Sequence, residues 1–274
     1  MKDPKALLDE LRAFQPEPGN LAFWWLGQMG FAIKTAGRLL LVDAFLSDHQ
    51  GRVIPLALDA DEPELADFVL GTHDHTDHID RAAWVRMARV SAKIRFIVPE
   101  FHRNSVTAQL GISEDRVIGV DENKPFTEKG LTIRAIPSAH EFLDTDPATG
   151  RHPHLGYIIE ADGLRIYHAG DSCIYDGMHA KLKQTGRFDV MFIPINGRDG
   201  VRYRHHIIGN MTAQEAVDLV GFIRPGLAVP GHYEMFTGNL GDPALFADYL
   251  DAKYPGIRCW IGDHGVRVDI AAGG

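Results

Sequence analysis

The segment Gly71–Asp80 reads "GTHDHTDHID" and concentrates three histidines and three aspartates in ten residues. Its flanks decide how it folds. The preceding "ADFVLGT" is short and apolar, the signature of a buried strand. Asp80 can cap a helix over "RAAWVRMARV". The histidines then fall on a short strand-to-helix loop, the place where α/β folds tend to bind ligands. A lone histidine on such a loop is more often a partly buried, hydrogen-bonded residue. The His-x-His-x-Asp-His spacing points elsewhere: His73, His75, Asp77 and His78 offer neutral imidazoles and an ionised carboxylate from one turn, which is what a metal ion requires. Asp80 reads as the helix cap and Asp74 as a structural loop carboxylate.

If this segment is one wall of a cage, other strand ends must supply the rest. Three apolar runs end in suitable groups: "LTIRAIPSAH" in His140, "LRIYHAGDS" in Asp171 and "GLAVPGHY" in His232. Each alone has a plain reading as a loop or turn residue. Their shared placement after apolar strands makes them a set.

Working outward, strand-like runs dominate: "LAFWWLG", "GFAIKTAG", "GRLLLVDAF", "IRFIVP", "RVIGV", "LGYIIEADG", "FDVMFIPIN" and "IRCWIGD" join those above. Amphipathic helices lie between some of them. Asp3 and Pro4 open one over "KALLDELRAF", Thr212 with Glu215 forms a capping box for "AQEAVDLVGFI", and Asp242-Pro243 opens "ALFADYLDAKY". The pattern predicts an α/β (α+β) chain with sheets covered by helices on their outer faces, in one domain spanning residues 1–274.

Composition narrows the class. A formal net charge of -9 argues against non-specific binding to nucleic acid, whose phosphates need a basic surface. No run approaches the roughly 20 apolar residues of a membrane span, and the N-terminus lacks the apolar core of a signal peptide. Two cysteines, Cys173 and Cys259, suggest no disulfide framework. The expectation is a soluble cytoplasmic protein with a small-molecule substrate, without nucleic-acid or membrane partners, and compatible with a homo-oligomer.

At these motifs the chain resembles the metallo-β-lactamase-fold metallohydrolases. That family carries a strand-end Asp, then His-x-His-x-Asp-His, then a His, an Asp and a His, matched here by Asp43, His73, His75, Asp77, His78, His140, Asp171 and His232. The resemblance covers nearly the whole chain. It implies a four-layer αββα sandwich with a dinuclear site between the sheets. His73, His75 and His140 would hold one ion, and Asp77, His78 and His232 the other, with Asp171 bridging. Asp43 would steady the histidine loop, or serve as a turn residue after "LLLV". The cofactors would be two divalent ions, Mn or Zn. Asp77 would orient a metal-activated hydroxide and shuttle its proton.

The stretches "FWWLGQMGFAIKTAG", "THDHTDHID", "AGDS", "NMTAQEA" and "GHYEMF" resemble the L-ascorbate-6-phosphate lactonase branch. That implies a lactonase acting on a small sugar-derived lactone, anionic or neutral. A phosphodiesterase on the same metals, or an iron-dependent enzyme like the persulfide dioxygenases, are the alternatives. Residues Asn196, Arg198 and Arg202 sit in "NGRDGVRYRHHIIGNM", a locally basic loop expected to rim the site, with Arg198 best placed to grip an anion. Tyr233 is either a donor to an oxyanion or a core aromatic. His152 and His154 read as loop histidines, His168 as a core or supporting residue, and Cys173 as a buried thiol.

Overall fold

The structure is a computed structural model and describes residues 2–35, 37–62 and 65–271. Among these, thirteen strands form two sheets. The first sheet contains β1 (Asn20–Gly27), β2 (Gly30–Lys34), β3 (Leu39–Val42), β4 (Phe68–Leu70), β5 (Arg95–Pro99), β6 (Val117–Val120) and the last strand, β13 (Arg267–Ala271). Its order is β13-β1-β2-β3-β4-β5-β6. The second contains β7 (Phe126–Glu128), β8 (Leu131–Pro137), β9 (Leu155–Ala161), β10 (Leu164–His168), β11 (Val190–Pro194) and β12 (Leu227–Gly231), in the order β12-β11-β10-β9-β8-β7.

Alternation along β1 shows why two sheets and outer helices are needed. Phe23 and Trp25 enter the cluster between the sheets, whereas Trp24 and Leu26 face the other way. A strand with large side chains on both faces must be covered on both. The outward face packs against α1 (Pro4–Ala13), α2 (Arg81–Val90) and α3 (Arg103–Leu110) through Leu7, Leu11, Trp84, Met87 and Val106. The second sheet is covered by α4 (Met178–Thr185), α6 (Ala213–Ile223) and α7 (Pro243–Lys253), with Leu182, Val217 and Phe246 in the core; α5 (Gly200–Arg204) is a short surface turn of helix. The layering is the αββα sandwich anticipated from the sequence.

The helix starts follow their caps. Asp3 accepts from Ala6 N, Asp80 from Ala83 N, and Asp242 from Ala244 N, while Thr212 and Glu215 close the capping box of α6. One strand expectation fails. "IRCWIGD" makes only an isolated bridge from Cys259 to Ala228. Beyond Ala228 the neighbouring strand reaches Pro230, which has no N–H to extend a ladder, and Trp260 turns onto the ring of Phe23. The closing strand is instead β13, antiparallel to β1.

Strand directions position the site. Strands β3 and β4 run parallel in the first sheet. Strands β8 and β10 are both antiparallel to β9, and β11 and β12 run parallel to β10, so all four end at one edge of the second sheet. Asp43, Gly71, His140, Asp171 and His232 all follow the C-terminal ends of such strands.

Candidate metal centre

The histidine loop is braced from three sides. Its own turn closes through His78 N and Ile79 N, which both donate to His75 O. From β9, the Tyr157 hydroxyl donates to Gly71 O at 2.7 Å, and Leu155 N donates to Thr72 O. From the end of β3, the fully buried carboxylate of Asp43 accepts from Thr72 N at 2.8 Å, Thr72 Oγ1 at 2.7 Å and His78 Nδ1 at 2.6 Å. Three donors satisfy the oxygens of this buried carboxylate and offset the cost of removing it from water. It also fixes the His78 ring so that Nε2 points away from Asp43 and toward the cleft.

The structure brings the seven anticipated ligands together. One potential ligand atom from each member lies within 4.8 Å of the others in three overlapping groups: His73, His75 and His140; His73, His78 and Asp171; Asp77, His78 and His232. Asp171 lies between the outer groups, 3.7 Å from His140 Nε2, 3.3 Å from His78 Nε2 and 3.1 Å from His232 Nε2. His140 Nε2 and His75 Nδ1 face each other at 3.2 Å. Gly170 permits this placement of Asp171. Its φ is +59°, and a Cβ there would fall 2.9 Å from Leu155 O and from Thr72.

The donor set fits metal ions. His73 Nε2 is buried with no hydrogen-bond partner among the described residues, an arrangement that leaves a lone pair without a donor. Burial lowers the pKa of His73 well below the usual imidazole value, and lowers that of His140 to about 4. Both rings are therefore neutral at neutral pH, as ligands must be. In the other group, burial opposes ionisation but Asp171 and its neighbours outweigh it, so His78 and His232 are raised. Burial likewise pushes Asp171 and Asp77 up, yet the adjacent His232 and His78 hold both carboxyls below their ordinary range. Imidazole nitrogens and carboxylates without thiolate suit Zn, Mn or Fe. Cys173 is buried, and none of the three groups includes it.

Two further residues lie near this cluster. Gln28, in the turn between β1 and β2, donates from Nε2 to Asp77 Oδ2 at 3.1 Å and lies 3.3 Å from His232 Nε2. Its carbonyl accepts from His232 N and from Trp25 Nε1. Gln28, Asp43 and His232 all have left-handed backbone, with φ of 52°, 47° and 60°. Such conformations cost of order 1–3 kcal/mol each for non-glycine residues and gather at functional sites. The sequence signals for Gln28 are the tight Gly-Gln-Met-Gly turn and its place in the stretch "FWWLGQMGFAIKTAG". His154, read as a loop histidine, places its ring 5.5 Å from His73 and 5.4 Å from His140, and burial lowers its pKa to about 4. His152 stays in the loop, donating to Asp144 O. His168 is buried, donating from Nε2 to Met29 O and accepting from Gly170 N on Nδ1, which ties the β1–β2 turn to the end of β10.

The anticipated substrate contacts have partners within the protein. Arg198 forms a two-pronged pair with Glu215, at 2.7 and 2.6 Å, and donates to Asn210 O. Arg202 pairs with Asp199 and donates to Asn239 Oδ1 and to Leu240 O. The buried Asn196 bridges Asn239 and Asn210. Tyr233 packs its ring 5.0 Å from Trp25, and burial raises its pKa. Asn196, Arg198 and Arg202 tie this loop to its neighbours, while Tyr233 is a core aromatic.

A cavity of about 460 Å³ opens beside His75 and Asp77. One of similar size, about 470 Å³, lies around Gly130, Asp162 and Asp189, at the N-terminal ends of β8 and β11 and away from the ligand cluster.

Residues 38–233 match the beta-lactamase superfamily domain family, and the chain belongs to it. It is 33% identical over 230 residues to a UPF0173 metal-dependent hydrolase of Thermococcus kodakarensis, covering 84% of this chain and 92% of that protein. A second, from Thermococcus onnurineus, is 32% identical, with 84% and 92% covered. The fold is that of Igni18, a metallo hydrolase from Ignicoccus hospitalis, with a TM-score of 0.70 and 22% identity over 91% of this chain and 98% of that one.

Proposed function

We propose that the protein is a metal-dependent hydrolase, and that its reaction is the opening of small lactones. The observation that carries this is the pair of three-ligand groups joined at Asp171, at the mouth of a cavity large enough for a small ester. The relatives named metal-dependent hydrolases support the first part. The motifs shared with the L-ascorbate-6-phosphate lactonase branch support the second.

By the resemblance, His73, His75 and His140 would hold one divalent ion and Asp77, His78 and His232 the second, with Asp171 between; Mn and Zn both suit the donors. Such a pair supplies hydroxide at neutral pH and polarises an ester carbonyl. The chain's own residues do the rest. The Asp77 carboxyl lies below its ordinary range in the metal-free site, and its Oδ2 is fixed by the Gln28 amide. It can accept the proton of the attacking water and return it to the alkoxide released when the ring opens. Asp43 keeps the loop that carries these groups from moving away. The proposed partner is a small molecule, and the proposed cellular site is the cytoplasm. Among the described residues no helix is long and apolar enough to cross a membrane.

The test is metal analysis of the purified protein, then turnover of a panel of lactones and phosphodiesters with Mn or Zn restored. Two bound ions and lactone turnover lost in His75→Ala support the proposal. Turnover of diesters alone transfers the reading to a phosphodiesterase. One tightly bound iron with oxygen consumption defeats it.

A further inference from the structure

The cavity beside His75 and Asp77 has a distinct chemistry. Its walls are Phe45, Phe236 and Ile207, with the His49 ring standing edge-on to Phe236 at 5.3 Å. Phe45 and Phe236 lie 5.8 Å apart. Thr76, Thr237 and Asn239 add uncharged polar groups. Among the described lining residues there is no lysine or arginine.

Three nearby arginines are engaged by the protein itself. The Arg52 guanidinium donates to the carbonyls of Ile54, Phe45 and Pro55 and lies 5.3 Å from the Phe45 ring centroid. Arg198 is locked to Glu215, and Arg202 to Asp199 and Leu240 O. The lining carboxylate Asp74 is paired with Arg81. The remaining one, Asp77, belongs to the ligand cluster. Away from the ions proposed at His75 and Asp77, an anionic substituent in this cavity would face aromatic rings and find no lysine or arginine among the described lining residues to replace its water, a costly burial. A neutral aryl or alkyl group would meet aromatic edges and faces that favour it.

Apolar groups continue outward. Phe142 and Leu143 are exposed immediately after Glu141, whose carboxylate accepts from the Tyr203 hydroxyl, and Leu240 is exposed beside the carbonyl that Arg202 holds. Two loops, one following the ligand candidate His140 and one following the lining residue Asn239, thus present exposed apolar side chains.

We infer that this cavity takes a neutral, apolar substituent of the substrate, aryl or alkyl, rather than a phosphate or carboxylate. This rests on the proposed lactone reaction and names the substrate class within it. The recognised molecule is then an aryl- or alkyl-substituted cyclic ester, and not a phosphorylated sugar lactone.

The experiment uses the metal-loaded full chain and two γ-lactones of matched size, one with a benzyl and one with a carboxyalkyl substituent. The corresponding lactams, which are not opened, serve as binding probes in calorimetry. The expected result is a preference for the benzyl compounds of about a hundredfold, in kcat/KM for the lactones and in Kd for the lactams. Phe236→Lys and, separately, Ile207→Lys narrow that preference at least about tenfold. Equal or better binding of the carboxylates by the unaltered protein, or binding of neither lactam, overturns the inference. Tight, selective binding of the benzyl lactam with neither lactone opened leaves the inference standing and defeats the lactonase reading. Turnover of both lactones without preference does the reverse.

Discussion

Two loops of this chain are dense in titratable side chains, Gly71–Asp80 and Asn196–Met211, and they end in opposite states. In the first, most of the charged and imidazole groups turn inward, Asp74 and His75 being exposed. His73 and His78 are buried, a ring nitrogen of His73 lacks a partner, and the Asp77 carboxylate meets groups from other strand ends. In the second, the groups pair locally: Arg198 with Glu215, Arg202 with Asp199. What distinguishes a reactive loop from a structural one is therefore whether its polar atoms are satisfied within the loop or left facing a shared cleft. Density of charge alone does not tell them apart.

The comparison can be broken by substitution, and the effects should fall in a definite order. Asp171→Ala, which removes the group between both clusters, is expected to lower turnover at least about a thousandfold, the scale of several kcal/mol of lost charge stabilisation. Steady-state kinetics alongside elemental analysis and circular dichroism check it; retained turnover would show that Asp171 is a bystander. Asp43→Ala leaves the Thr72 amide and hydroxyl and the His78 ring without their buried acceptor. It should cost about 3–5 kcal/mol of stability and weaken metal binding about 10–100-fold. Urea unfolding and metal titration measure the two effects separately.

Gln28→Ala sharpens the comparison from the side of a residue with no charge. Loss of the amide on Asp77 is expected to reduce kcat about tenfold, or about 1.4 kcal/mol, with metal content unchanged. A change in KM alone would assign Gln28 to substrate binding instead. The smallest effect belongs to the second loop. Arg198→Ala should leave KM within about twofold and cost no more than about 1 kcal/mol, as partly exposed ion pairs do.

That pair also sets a pH dependence. Burial raises the Glu215 pKa, but Arg198 and the Thr212 backbone outweigh it and the value is lowered. A depressed carboxylate contributes stability that is present above the unfolded value near 4.5 and is lost as pH falls through the folded one. Arg198→Ala should flatten the acid limb of a stability-versus-pH curve. An unchanged limb would show that the capping hydrogen bonds alone hold Glu215.

Much of the architecture was legible in the chain because its signals are local. The run "LAFWWLG" read as a strand, and Asp3, Asp80, Thr212 and Asp242 start helices where caps should. The seven ligand candidates shared one rule, a polar group directly after an apolar strand. Errors arose where the answer depends on a distant neighbour. "IRCWIGD" has the composition of a strand, but its available partner is Ala228 just before a proline, and β13 takes the sheet edge beside β1 instead. His154 is the loop histidine it was read as and belongs to none of the ligand groups, although its ring packs near His73 and His140.

The sequence by itself determined the layered fold, the family and the identity of the groups that converge, since period, capping and strand-end chemistry are written in short runs of residues. Tertiary structure decided which of the charged groups are free to act. The arginines expected to bind an anion find Glu215, Asp199 and backbone carbonyls as partners, and Gln28 reaches Asp77 across two strand ends. The reason is physical: a side chain's chemistry belongs to its residue type, but its availability is set by which donors and acceptors, distant in sequence, the fold brings within about 3 Å of it.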